Sequence, residues 1–495
     1  MKALRALSLL SVVLLAVLGS MSAQTWTPIA NTPPFTPSQL WLLTDGRVLV
    51  QDYPGNATGN WWTLTPDING SYVNGTWTQV ASTPSDYIPL FFASAVLADG
   101  RLAIIGGEYN YAPGGTEFTS LGAVYNPKTN TWKNFAAPKG PNGAAVGDSD
   151  AIVLADGSFL LYGCCSPTVP GDVALATGQD LHWTIAGSGK NEGGADEEAL
   201  TLLPNGDALT TGVYVTYDSQ IYNHVTGTFG PSINTVVDFV TNNCSEIGPS
   251  VLRPDGTILQ IGANGNNGVF DSATETWSAA PNLGLGSTDG PASILPNGNV
   301  LVALAPVPGC YQTPVSFFEW DGTNFNPAPL PSSPSFGGPT FIERMLVLPT
   351  GEVMMTYYNS DVEFYAASGT YNPSWAPTIT FVHKKLHPGD LSQTLTGTQL
   401  NGLSNGAAFG DDFQDSTNYP LVRITNNGTG HVFYARTHNH SSMGVATGSL
   451  SVSTKFDVSC STELGASQLE VVANGIPSSP VDVTIIPPPK KQCGQ

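Results

Sequence analysis

Charge is scarce in this chain, and positive charge scarcest: 11% of the 495 residues are charged, with 17 Lys and Arg against 38 Asp and Glu for a formal net charge of −21. So acidic a surface repels phosphate backbones and anionic headgroups, which argues against nucleic acid or a membrane surface as partner. Long apolar runs are equally few. The one that exists, Leu7 to Leu18, follows the basic Lys2 and Arg5 and precedes the small residues Ser20, Ser22 and Ala23. That is the layout of a signal peptide, too short to span a bilayer, with cleavage expected after Ala23 or, as a second option, after Ser20. The mature protein is expected to be secreted, extracellular or periplasmic, without membrane insertion. Long amphipathic helical patterns are hard to find, which removes helical architectures. His-Glu-x-x-His, Gly-x-Ser-x-Gly and a Gly-rich phosphate loop followed by Lys are absent, and with them the chemistries they carry. Cysteine is limited to six residues. An exported chain can pair an even number, but spacing alone leaves the pairing open.

What the sequence has in abundance is turn-forming and β-forming residues, including 54 Gly and 39 Pro. The mature length is too great for one core and suits one large domain plus a smaller one of about 100 residues. One phrase recurs seven times: an apolar run, a Pro or Ala, a turn of Asp-Gly or Asn-Gly type, then a second β-rich run. It reads WLLTDGRVLV from Trp41, AVLADGRLAIIGG from Ala95, IVLADGSFLLYG from Ile152 and TLLPNGDALTTG from Thr201. It continues as VLRPDGTILQIG from Val251, ILPNGNVLVAL from Ile294 and MLVLPTGEVMMTYY from Met345. Each copy is a hairpin whose turn needs positive φ, hence the Gly. Downstream of several copies a second phrase runs from an aromatic-Asn/Asp start to a Thr-Trp end, as in Tyr125 to Trp132 and Phe270 to Trp277. These supply two outer strands, with the tryptophan between neighbouring sheets.

Four strands per unit, seven times over, predict an all-β fold: a seven-bladed kelch-type β-propeller, in which radial repetition protects the sheet edges. Residues 25–30 look like an outer strand with no hairpin before it and are expected to complete the last blade. Beyond Pro377 the repeat stops, and residues 378–487 read as an immunoglobulin-like β-sandwich. The expected organisation is therefore signal peptide 1–23, propeller 24–377, sandwich 378–487 and an extended tail 488–495.

This order of parts, with the hairpins, the stretch Val362-Glu363-Phe364-Tyr365 to Ala376-Pro377-Thr378-Ile379, and Ala435-Arg436-Thr437-His438, resembles the galactose oxidase and glyoxal oxidase family. The resemblance implies one copper over the propeller axis, held by two tyrosines and two histidines, one tyrosine being joined to a cysteine to store a radical. It places one histidine on His438. The expected Tyr-His pair at the seventh inner strand is replaced by Phe341-Ile342, and no Cys-Pro or Gly-Tyr start occurs in the earlier blades. The chain thus reads as a divergent member lacking most copper-radical ligands, for which copper is not expected, although Tyr87 and Tyr311 remain as phenols that could substitute.

Repeat arithmetic supplies a different set for the axis. Eight or nine residues before each turn stand Asp148, Glu197, Glu246 and Asp289, with Asp150, Asp196, Glu198 and Glu343 close by. Crowded carboxylates call for a cation, and their hard oxygens suit Ca²⁺, Mg²⁺ or Mn²⁺. His438 and His440 form a His-x-His pair that a loop could add to the site. The alternative is that these side chains are structural links between blades. Cys244 with Cys310 would staple neighbouring blades and Cys460 with Cys493 would pin the tail, leaving Cys164 and Cys165 as an adjacent pair. The sequons at Asn56, Asn69, Asn74, Asn427 and Asn439 matter only in a glycosylating host. Two functions follow: a secreted, carbohydrate-binding or protein-binding propeller acting through its acidic loop face, or a metal-dependent carbohydrate-acting or oxidase-like enzyme. Neither requires copper.

Overall fold

The protein is described by a computed structural model covering residues 24–135, 146–163, 173–177, 181–191, 198–241, 244–333, 337–409, 413–488 and 493. The expected signal segment, Asp196, Glu197 and the Cys164-Cys165 pair lie outside these residues.

Each repeated phrase forms the two inner strands of an antiparallel sheet. In blade one Pro37–Leu42 and Val48–Asp52 pair through Leu40 with Val50, Trp41 with Leu49 and Leu42 with Val48. Both strands are buried along their whole length, since neighbouring blades cover both faces. The reversal needs glycine for two reasons. Gly46 has φ 81°, and a Cβ on it would lie 2.5 Å from Cγ of Tyr434 in the C-terminal domain. Six further blades follow, their inner strands beginning at Ala93, Ala151, Ala199, Ser250, Pro291 and Arg344. The tryptophans of the outer strands bridge sheets: Trp132 of blade two packs on Trp61 of blade one at 4.9 Å, and Trp277 of blade five donates to Ser219 Oγ of blade four at 2.9 Å.

The ring closes non-covalently. Thr25–Pro28 runs antiparallel to Val362–Ala366 as the outer strand of blade seven, with Trp26 opposite Tyr365. Trp26 fastens the joint from the side: its indole N–H donates to Pro329 O at 2.8 Å, and its rings meet Phe317 at 5.4 Å and Tyr365 at 4.9 Å.

After the propeller a further sheet curls on itself around Val382, Leu395, Val422, Phe456, Leu469 and Val471, so an all-β propeller is followed by a sandwich-like domain. This domain docks on the turn side of the propeller. Thr437 N–H donates to Thr44 O, His440 N–H to Ala98 O and Met443 N–H to Ala155 O, all within 3.0 Å, while the Tyr419 hydroxyl donates to Leu42 O. One hairpin leaves the domain and enters the propeller axis. Its strands Gly406–Phe409 and Phe413–Ser416 pair with each other, and the first continues blade six, with Ser293 opposite Ala407 and Pro291 opposite Phe409. It also lies against the inner strands of blades one, two, three, five and seven. Cys244–Cys310 and Cys460–Cys493 are disulfides, and among the described residues no helix is long and apolar enough to cross a membrane.

Because the two ends of the ring are joined by strand pairing and Trp26, Trp26→Ala should lower stability by about 2–3 kcal/mol, less than for a fully buried Trp. Calorimetric unfolding of the variant checks this; an unchanged transition would mean that the closing strand does not carry the ring.

Candidate functional site

The inner strands run from the open mouth of the propeller to the turns beneath the C-terminal domain, so residues just before each strand gather at the mouth. Asp148 precedes Ala151–Val153, Glu246 precedes Ser250–Leu252 and Asp289 precedes Pro291–Ile294. The Cys244–Cys310 disulfide joins the loops of blades five and six, and the next residue, Tyr311, donates its hydroxyl to Glu246 Oε1. The Tyr311 N–H is held by Thr288 Oγ1 at 3.0 Å. Burial raises the phenol pKa of Tyr311 far above its ordinary value, and Asp289, Glu246 and Asp148 push it further. The phenol therefore remains a donor, and all three carboxylates lie within its electrostatic reach. Glu246 is 5% exposed, and its Oε2 has no hydrogen-bond partner. Asp289 and Tyr311 have φ of 48° and 56°, backbone strain of the kind concentrated where loops serve ligands.

An arc of aromatic rings completes the mouth. Tyr311 meets Phe341 edge-on at 5.2 Å, Phe341 meets Phe91 at 6.5 Å and Phe91 meets Tyr109 at 6.3 Å. Tyr109 lies 6.0 Å from Tyr111, and Tyr53 lies 4.7 Å from Tyr358. The Tyr111 phenol is pushed up to about 12 by burial and by Tyr53 beside it. Beneath this layer Arg344 is fully buried. Its guanidinium donates to Phe341 O, Glu343 O and the Tyr358 hydroxyl and stacks under Phe91 and Tyr358. The arc was not legible from the repeat, because Tyr53, Tyr109 and Tyr358 sit beyond the second strands at no constant spacing.

The other expected site residues take different places. Asp150 links blades, accepting from Ala151 N at 2.6 Å and Leu200 N at 3.1 Å. Glu198 is buried against Lys190 at 2.6 Å and Thr210. His438 and His440 stand at the turn side, the whole depth of the propeller away from the mouth, because Thr437 and His440 bond the turns of blades one and two. His438 Nε2 lies 3.2 Å from Asp457. His440 is held to Thr454 Oγ1 at 2.9 Å, and burial, then His438 and Arg436, lowers its pKa to about 3, so it is neutral. The two histidines therefore do not join the carboxylates in one site. The segment of the C-terminal domain that does run towards the mouth is Gly406–Phe409, whose last residue pairs with Pro291. Tyr87 is buried in blade two, its hydroxyl donating to Gly106 O at 2.8 Å.

The donor set can be tested against copper. All seven histidines are described, and none is at the mouth: His182 lies on the third blade's outer strand, His224 pairs with Asp207, and the remaining five belong to the C-terminal domain. Phe341 and Ile342 lie in a 3-10 turn and offer no ligand. The mouth thus supplies carboxylate and phenol oxygens without imidazole, which does not fit the copper-radical ligand set. Among the described residues no three His, Cys, Asp or Glu side chains come together as ligands of one metal ion.

In fold the chain is similar to a fungal alcohol oxidase of the AA5 family solved in complex with copper, with 14% identity and a TM-score of 0.55 over 94% of this chain and 100% of that one. A streptogramin B lyase matches with 11% identity and a TM-score of 0.45, covering 70% of this chain and 98% of its own. A catalytically inactive virginiamycin B lyase from Staphylococcus aureus, solved with quinupristin, matches with 9% identity and a TM-score of 0.43 over 70% and 99%. No family model matches the sequence, and no curated protein matches it. At these identities the likeness to the oxidase concerns the fold alone.

Glu343, one residue before the seventh inner strand, is fully buried with neither carboxyl oxygen partnered. Burial raises its pKa well above the ordinary range, against the opposing charge of Arg344. The folded state keeps the proton while the unfolded chain ionises above about pH 4.3, so stability falls as pH rises from there towards the folded pKa. Glu343→Gln should match the parent near pH 4 and exceed its Tm by about 2 °C or more near pH 7. Calorimetry at both pH values checks this, and a Gln variant less stable at neutral pH would show that an ionised Glu343 is needed.

Proposed function

We propose that this is a secreted propeller that binds an extracellular glycan in its axial mouth and does not perform copper-radical oxidation. The observation that carries this reading is the meeting of an aromatic arc with three carboxylates in one mouth that has no imidazole. Ring faces such as Phe341 and Tyr311 can pack on the C–H faces of a sugar, and carboxylates orient its hydroxyl groups, the usual division between apolar contact and a few placed polar groups. Export accords with the amino-terminal signal pattern and with the disulfides Cys244–Cys310 and Cys460–Cys493. A protein ligand on the same loop face would use the same aromatic anchors.

A metal-dependent carbohydrate-acting enzyme is the second reading, favoured by the unpartnered Oε2 of Glu246. In it Glu246 would supply one oxygen ligand to Ca²⁺, Mg²⁺ or Mn²⁺, and Asp148 and Asp289, which do not converge with it on one point here, would have to move to complete the site. Elemental analysis of protein purified without added metal separates the two.

Glycan-array screening followed by titration of the hits should give binding that weakens about tenfold, equivalent to ~1.4 kcal/mol, in Phe341→Ala. Reconstitution with Cu²⁺ should release no peroxide from galactose, simple alcohols or aldehydes. A silent array beside robust turnover would overturn the proposal.

A further inference from the structure

The mouth has a polarity that a neutral sugar would not use. On the side of blades three, five and six stand Asp148, Glu246 and Asp289, all felt by the Tyr311 phenol. On the side of blades one, two and seven lie the rings, with the Arg344 charge turned onto backbone carbonyls and the Tyr358 hydroxyl and covered by Phe91. Glu246 is the critical group. It is 5% exposed, one oxygen is committed to Tyr311, and the other has no partner. A buried acceptor left in that state carries an uncompensated desolvation cost, larger if it is charged, unless a ligand donor meets it.

Two kinds of cation could meet that oxygen. A bare metal ion needs several oxygen ligands converging on one point, and no such group of three occurs among the described residues. An ammonium group on a carbon frame asks for less. It directs single N–H donors to separate acceptors, while its adjoining C–H surface lies on aromatic faces, where the ring quadrupole adds to the attraction. Tyr311 stands beside Glu246, bonded to its other oxygen, and Phe341 lies edge-on to Tyr311 at 5.2 Å. Resting on the reading of the mouth as a glycan site, we infer that the glycan is an amino sugar with free, protonated amines, one ammonium donating to Glu246 Oε2 and the sugar ring stacking on Phe341 and Tyr311. The net charge of −21 would concentrate such a polycation near the surface.

The test is calorimetric titration of the full mature chain, in mildly acidic low-salt buffer, with four probes: the β-1,4-linked tetramers of glucosamine, of N-acetylglucosamine and of glucose, and CaCl₂. The glucosamine tetramer should bind at least about tenfold more tightly than either neutral tetramer, and more weakly as salt is raised. Glu246→Gln keeps an acceptor for Tyr311 but removes the charge, and should erase that preference. Asp289→Asn retains a residue that tolerates the positive φ and should reduce the preference in part, which guards against a folding defect in the first variant. Equal affinity for all three tetramers overturns the amine inference while leaving glycan binding intact. Failure of all three overturns both. Stoichiometric Ca²⁺ binding that displaces the glucosamine tetramer also overturns the inference, by making the carboxylates a metal site.

Discussion

The paired strands Gly406–Phe409 and Phe413–Ser416 in the propeller axis are the constraint on which the remaining geometry depends. A ring of sheets leaves the edges of its innermost strands facing a central channel, with backbone N–H and C=O groups that must find partners. Here Gly406–Phe409 continues blade six by pairing with Pro291–Ile294. The hairpin starts in the C-terminal domain, so this pairing also fixes which side of the propeller that domain covers. The turn side is taken, and the mouth is the side left uncovered by that domain.

Closure at the rim serves the same end by other means. Thr25–Pro28 supplies the outer strand of blade seven, and the Trp26 indole clamps the first strand to blade six through Pro329 and Phe317. Joined at rim and axis, the blades hold loops of different blades in fixed relation. The disulfide Cys244–Cys310 then adds a local constraint where it matters most, one residue from Tyr311.

The propeller was legible because its signal is repeated and local: each turn demands Gly at positive φ whatever its neighbours do. The axial hairpin was not. Asn405-Gly406-Ala407-Ala408 carries small residues that suit a narrow channel but lacks any period that separates it from a loop. His438 shows the opposite failure. Agreement over Thr437-His438 with a known pattern is a statement about two residues, while position depends on strand register. Here Arg436 to His438 pair with Lys455 to Asp457, which keeps the pair at the docking surface. The aromatic arc was hidden for a third reason, since it is assembled from loops of several blades whose lengths differ.

Among the carboxylates, the distance from the strand start separates the links between blades from the groups at the mouth. Asp150, Glu198 and Glu343 each stand one residue before an inner strand, and all are fully buried. The protein accommodates them in three ways: backbone donors for Asp150, the Lys190 ammonium for Glu198, and for Glu343 a pKa that burial raises well above the ordinary range. Two to four residues before the strand, the chain has risen out of the packed ring. Asp289 and Asp148 are there only half-buried, and Glu246, although covered, keeps an oxygen that nothing in the protein engages. Repeat arithmetic alone could not divide these groups, because a shift of one residue in an extended chain turns the side chain to the other face. The same shift decides whether a carboxylate joins two blades or stands at the mouth.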